Sequence, residues 1–227
     1  MTSVPLLHFA PQTCARVTLT ALEKIGEPFE TQLVAFMAGE HRAPAYLAIN
    51  PAGKVPALET AQGVIVQNGA ILTYLAQRHP TAGLLPFGDG PQTLQALSDL
   101  FRISADLHPL VTRFALPQMI TTQADQAKPI RDKAREILTA QLAPLEQQLS
   151  GQAWMLGSDW SIIDAYLAWV WFRETGAGFD PHAFPAIVRH YAAASARPSA
   201  LAALAREAAA QDELKARGLF FQPPPQN

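Results

Sequence analysis

The chain's one cysteine, Cys14, closes the run Phe9-Ala10-Pro11-Gln12-Thr13-Cys14, between an apolar stretch and a helix-like one. A thiol or hydroxyl in the first turn of a helix meets unpaired backbone N–H groups and the positive end of the macrodipole. Both favour an anion, so the position is suited to lowering a cysteine's pKa and to holding a bound thiolate. The plainer role for Cys14 is that of a small, packed, weakly polar side chain. A lone cysteine forms no intrachain disulfide, and a reducing, cytoplasmic setting is expected.

Three further features carry chemistry. In Gly53-Lys54-Val55-Pro56 a glycine turn leads into Val-Pro at the start of a strand, where a cis peptide is plausible although trans is commoner. A cis bond there would turn the Val55 N–H and C=O toward an open edge, able to pair with a peptide-like ligand as an added strand. Gln67-Asn68 stands where a strand ends and a helix starts, so that amide side chains and free N–H groups suit a carboxylate, with N-capping by Asn68 as the plain alternative. Ser161-Ile162-Ile163-Asp164 reads as a capping box inside an apolar helix, which makes Asp164 a structural residue and not a catalytic acid.

These residues need elements to place them. Short apolar runs at 5–9, 29–36, 55–59 and 63–66 read as strands; one helical stretch follows the Pro11-Gln12-Thr13 break to about Ile25, where Gly26 ends it, and another is N-capped by Asn68 with Ile71, Leu72 and Leu75 as its apolar face. With a helical turn at 45–49 the order is β-α-β-α-β-β-α, one four-stranded sheet covered by three helices. The Pro/Gly-rich stretch 81–91 reads as a linker. Beyond it every pattern is helical: 92–119, kinked at Pro109, then 127–149, 161–174, 185–196 and 198–210. The row Ile130, Ala134, Ile137, Leu138, Leu142 and Leu145 is expected to face inward, and the tail around 223–225 to lie extended.

Composition narrows the classes. Hydrophobic residues are 49% and charged residues 16% of 227, enough for a sizeable core and against intrinsic disorder. A net charge of −2 leaves no footprint for nucleic acid or a membrane surface. No apolar run approaches the ~18 residues a membrane helix needs, and the first residues lack the basic and apolar regions of a secretory signal.

Taken together, the motifs resemble the cytosolic glutathione transferases, the bacterial beta class most closely. Pro11, Cys14 and Gly26 match that class's Pro-x-x-Cys turn and helix, Tyr46 through Leu58 looks like the segment whose proline is cis, and Gln67 through Leu75 looks like the (E/Q)-S-x-A-I-x-x-Y-L motif. Asp106-Leu107-His108 resembles the beta-class Glu-Leu-His, with Pro109 where a lysine follows in that class. Amides stand at Gln67 and Asn68 where acid or serine is usual, and the basic residue expected near Ala38-Gly39 is absent, with His41 or Arg42 the substitutes.

The resemblance implies a thioredoxin-like α/β domain over 1–80, the linker at 81–91 and an all-helical domain over 92–227. It implies glutathione as cosubstrate, with no metal. Cys14, Thr13 and His108 would act on the sulfur, and Gln12, Val55, Pro56, Gln67, Asn68 and Arg42 would bind the rest of the tripeptide. Phe9, Phe114, Met119 and Trp171 are candidates to line the pocket of a small hydrophobic electrophile. The implied protein is a cytoplasmic, homodimeric detoxification transferase. The alternatives are a glutathione-dependent lyase or isomerase, a thiol-disulfide reductase acting through a mixed disulfide at Cys14, and a non-catalytic glutathione-transferase-like binding protein.

Overall fold

A computed structural model of the chain describes residues 4–86 and 88–220. The tail expected around 223–225 lies outside the described residues. Backbone contacts divide the chain into two units: residues up to Leu75 together with those from Pro198 onward, and Ala76–Arg197. This differs from the division into 1–80, 81–91 and 92–227, because the last helix joins the first unit.

The first unit contains β1 (Leu6–Phe9), α1 (Ala15–Ile25), β2 (Glu30–Leu33), the short α2 (Pro44–Leu47), β3 (Ala57–Thr60), β4 (Gly63–Val66) and most of α3 (Asn68–Arg78). The strands lie in the order β2-β1-β3-β4, with β1 and β2 parallel and the other pairs antiparallel. This is the thioredoxin-like arrangement that the strand and helix order predicts. Leu7, Ala57 and Leu58 on the two central strands are fully buried, as are Val17 and Leu19 on α1 and Ile71 and Leu72 on α3. Gly26 ends α1 at φ 77°, and its N–H bonds the Leu22 carbonyl, a conformation that glycine adopts without a Cβ clash. The last helix, α9 (Pro198–Ala216), packs on α1 with Ser199, Ala203, Glu207 and Ala210 buried.

The second unit is helical: α4 (Pro91–Phe101), α5 (His108–Ala115), α6 (Ala127–Ser150), α7 (Ile162–Gly176) and α8 (Pro185–Ser195). The irregularity expected at Pro109 falls one turn earlier, as a π-helical turn over Arg102–Leu107. Proline has no N–H and its ring crowds the carbonyl four residues back, so the wider turn absorbs the conflict, with the His108 N–H bonding Ile103 O. On α6 the buried row is Ala134, Leu138, Leu142, Leu145 and Leu149, and Ile137, expected inside, is exposed. The capping box at the start of α7 is complete, with Ser161 and Asp164 satisfying each other's backbone N–H groups. Asp164 is fully buried and also accepts from Met155 N–H at 2.7 Å and His190 Nε2 at 2.8 Å. No helix among the described residues is long and apolar enough to cross a membrane.

Candidate functional site

Three loops of the first unit meet around Cys14. The first is the Ala10–Cys14 turn between β1 and α1. Here Thr13 Oγ1 donates to Ala10 O at 2.7 Å and accepts from Ala15 N–H at 3.3 Å. Gln12 takes φ 62°, a left-handed conformation for a residue with a Cβ. The second loop leads into β3. Asn50 donates to Lys54 O at 2.6 Å and accepts from Ala52 N–H, Tyr46 OH donates to the same carbonyl at 2.7 Å, and Gly53 lies so close to the His41 carbonyl that a Cβ would meet it at 3.1 Å. This frame presents Val55, and the Val55–Pro56 bond is cis. The third loop joins β4 to α3, with Gln67 exposed at φ 73°.

Side-chain bonds join the three. The Cys14 thiol lies 3.5 Å from Val55 O, to which it donates. Asn68 Nδ2 donates to Cys14 O at 2.8 Å, and Asn68 Oδ1 accepts from Thr18 Oγ1 at 2.8 Å. The Val55 N–H has no acceptor among the described residues. The N–H groups of the first turn of α3 have none within the helix, beside the exposed Gln67 side chain.

Several expectations are corrected by this geometry. Cys14 is buried and is not poised as a thiolate: desolvation pushes its pKa up to about 12, against smaller opposing effects from its backbone and Lys54. The Thr13 hydroxyl spends its one proton on Ala10 O and does not point it at a ligand. The Asn68 amide is committed inside the unit, and its backbone N–H and the exposed Gln67 side chain take no part in those bonds. The Val55 carbonyl accepts the Cys14 thiol on one of its two lone pairs, so its N–H and the second lone pair are still open to an added strand. Pro56 is buried. Arg42 is exposed and its Nε lies 3.3 Å from His41 Nε2, while burial and then Arg42 lower the His41 pKa.

The expected electrophile-lining residues are mostly core. Phe9 is buried in the first unit, whereas Phe114 and Trp171 are buried in the second, each edge-on to Phe179. Met119 alone of the four is exposed. His108 opens α5, with Nδ1 2.7 Å from Tyr166 OH and its ring edge-on to Trp169. Among the described residues no group of three or more His, Cys, Asp or Glu could hold a metal ion.

Glu207, a residue that sequence reasoning passed over, completes the first loop. It is 3% exposed on α9, accepts from Gln12 N–H at 3.0 Å through one oxygen, and takes Arg16 Nε and Nη2 at 3.0 and 2.6 Å on the other. Its signal was a glutamate in register with small residues on one helix face, at 199, 203, 207 and 210. Glu40 does similar work beside His41, accepting from Ala35 N–H and Arg217.

Comparison with known proteins agrees with this architecture. The family models described as glutathione S-transferase N-terminal domain and C-terminal domain match residues 2–77 and 102–198. A maleylacetoacetate isomerase of Pseudomonas aeruginosa is 32% identical over 71% of this chain and 76% of its own length. A glutathione transferase homologue from Sulfitobacter, solved with bound glutathione, superposes with a TM-score of 0.81 at 28% identity, covering 89% of this chain and 98% of the other. The beta-class glutathione S-transferase of Sphingomonas chungbukensis gives 0.78 at 28% identity, over 89% and 98%. With both domain models matched in order over most of its length, the chain belongs to the glutathione S-transferase family.

Proposed function

We propose that the first unit binds glutathione and presents its sulfur as a nucleophile to a small hydrophobic electrophile, so that the protein is a glutathione transferase. The observation that carries this reading is the pair of unsatisfied backbone donor sets on one unit: the Val55 N–H, and the first-turn N–H groups of α3 beside Gln67. Val55 would take the cysteinyl carbonyl as one rung of an added strand. The α3 terminus and Gln67 would take the γ-glutamyl carboxylate, and Arg42 with His41 the glycyl end. Cys14, neutral near pH 7, serves as a donor: turning its S–H from Val55 O to the bound sulfur would favour GS⁻ over GSH. Thr13 shapes the turn, and His108 enters as a further candidate on resemblance. On the same reading the protein is a cytoplasmic homodimer.

A second reading draws on the Pseudomonas relative's name: isomerisation of a cis-unsaturated keto acid. There GS⁻ adds to the activated double bond, the new single bond rotates, and elimination returns GS⁻ and the trans product. The same donors serve both reactions, because both need the thiolate.

The test is calorimetric titration with glutathione, followed by turnover with 1-chloro-2,4-dinitrobenzene and with a maleyl keto acid. Binding with conjugation supports the first reading, and binding with isomerisation alone the second. Absence of binding overturns both and leaves a non-catalytic family member. Cys14→Ala is expected to lower turnover by ~10–100-fold and Thr13→Ala by less than ~5-fold. Full turnover in Cys14→Ala would remove Cys14 from the mechanism.

A further inference from the structure

The Gln12 backbone sits in a region that residues with a Cβ rarely occupy, and such a conformation persists where its surroundings over-determine it. Within the turn the Thr13 hydroxyl holds Ala10 O and Ala15 N–H, but neither bond fixes the Gln12 peptide. The Gln12 N–H instead ends on Glu207 Oε1, 195 residues along the chain. Glu207 is buried, and its second oxygen is occupied by Arg16 from the first turn of α1. One carboxylate therefore grips both sides of Cys14, at residue 12 before it and residue 16 after it.

We propose that Glu207 is a positioning residue for the sulfur-binding turn: by holding the Gln12 amide and the Arg16 guanidinium together, it sets where Cys14 stands relative to Val55. Its functional half rests on the glutathione reading above, and its structural half does not. Neighbouring contacts of α9 lie elsewhere. Arg206 pairs with Glu23 and stacks 4.2 Å from the Phe29 ring, at the far end of α1, and Arg217 pairs with Glu40. Glu207 alone among these touches the turn.

Truncating Glu207 by itself would take the carboxylate away from the Arg16 guanidinium and change the local charge, so the informative pair neutralises both partners. In Arg16→Met/Glu207→Gln the side-chain oxygen for Gln12 is kept, and in Arg16→Met/Glu207→Met it is lost, with no orphaned charge in either. Amide exchange at Gln12 is followed in the full chain by NMR, together with KM for glutathione, kcat and melting temperature. The Met/Met variant is expected to exchange the Gln12 amide ~10-fold or more faster than the Met/Gln variant. Its KM for glutathione should rise ~10-fold, and its kcat should fall by more than ~3-fold because Cys14 is the donor to the bound sulfur.

Arg206→Ala is the control for helix docking: it should lower the melting temperature while leaving KM and Gln12 exchange as in the wild type. Equal Gln12 exchange in the two double variants overturns the proposal, as does a KM rise in Arg206→Ala matching that of Met/Met. If the wild-type protein does not bind glutathione, the functional reading fails, and the exchange comparison alone decides whether Glu207 holds the turn.

Discussion

Cys14 shows how far a residue's chemistry depends on what surrounds it. The start of a helix favours a thiolate, but its dipole weakens within a turn, whereas burial strips the anion of most of its solvation. Desolvation wins, and the thiol is held at about 12. Because the folded pKa lies above the unfolded value, the resulting stability is complete below about pH 9 and is lost as pH climbs from about 9 to about 12. Tyr46, raised to about 12 by burial, adds to the same alkaline loss. Glu174 adds a loss of the same sign from lower pH, since it is fully buried without a side-chain partner and its pKa is well above the carboxylate range. Cys14→Ala should therefore flatten the fall in urea-unfolding stability above pH 9. Native Cys14 should also resist iodoacetamide at pH 8 and react once the chain is unfolded; prompt labelling of the folded protein would contradict its burial.

Short motifs were legible as elements wherever their chemistry is local. Ser161 and Asp164 are three residues apart, and their reciprocal bonds follow from helix geometry alone. What spacing does not show is that Asp164 also serves Met155 N–H and His190. This difference sets the expected cost of substitution. Ser161→Ala loses one cap, about 1 kcal/mol. Asp164→Ala strands four buried donors, Met155 N–H, Ser161 N–H and hydroxyl, and His190 Nε2, and should cost about 3–5 kcal/mol, with Asp164→Asn in between because it keeps an acceptor oxygen. Urea midpoints of the three variants would check the order; equal losses for Ser161→Ala and Asp164→Ala would mean the outer contacts contribute nothing. Element type was harder to turn into use. Phe9, Phe114 and Trp171 have the composition of a pocket wall and the burial of a core, and only three-dimensional packing separates the two.

At the scale of the molecule, the strand and helix order sufficed for the thioredoxin-like sheet and for a helical region after it, because each element carries its own period. The membership of α9 was not legible. Its alanine-rich face suits many neighbours, and the contacts that assign it, Glu207 to Gln12 and Arg206 to Glu23, join residues 195 and 183 apart. A chain ending at Arg197 would therefore lose part of the first unit and keep all of the second. Such a truncation should abolish glutathione binding and expose the buried face of α1 to a hydrophobic dye, while helical content measured by circular dichroism persists. Retained glutathione affinity would show that α9 is dispensable.

That return of α9 also orders events during synthesis. The sheet and α1 leave the ribosome first, but the helix that covers α1 and carries Glu207 follows only after the whole of Ala76–Arg197. At ~5–20 residues per second that interval is roughly 6–25 s, during which the nascent first unit carries an uncovered apolar helix face and an Arg16 without its carboxylate. The second unit, continuous in sequence, has no such wait. The half of the chain that is made first is thus the half that finishes folding last, and that interval is when a chaperone would have most to hold.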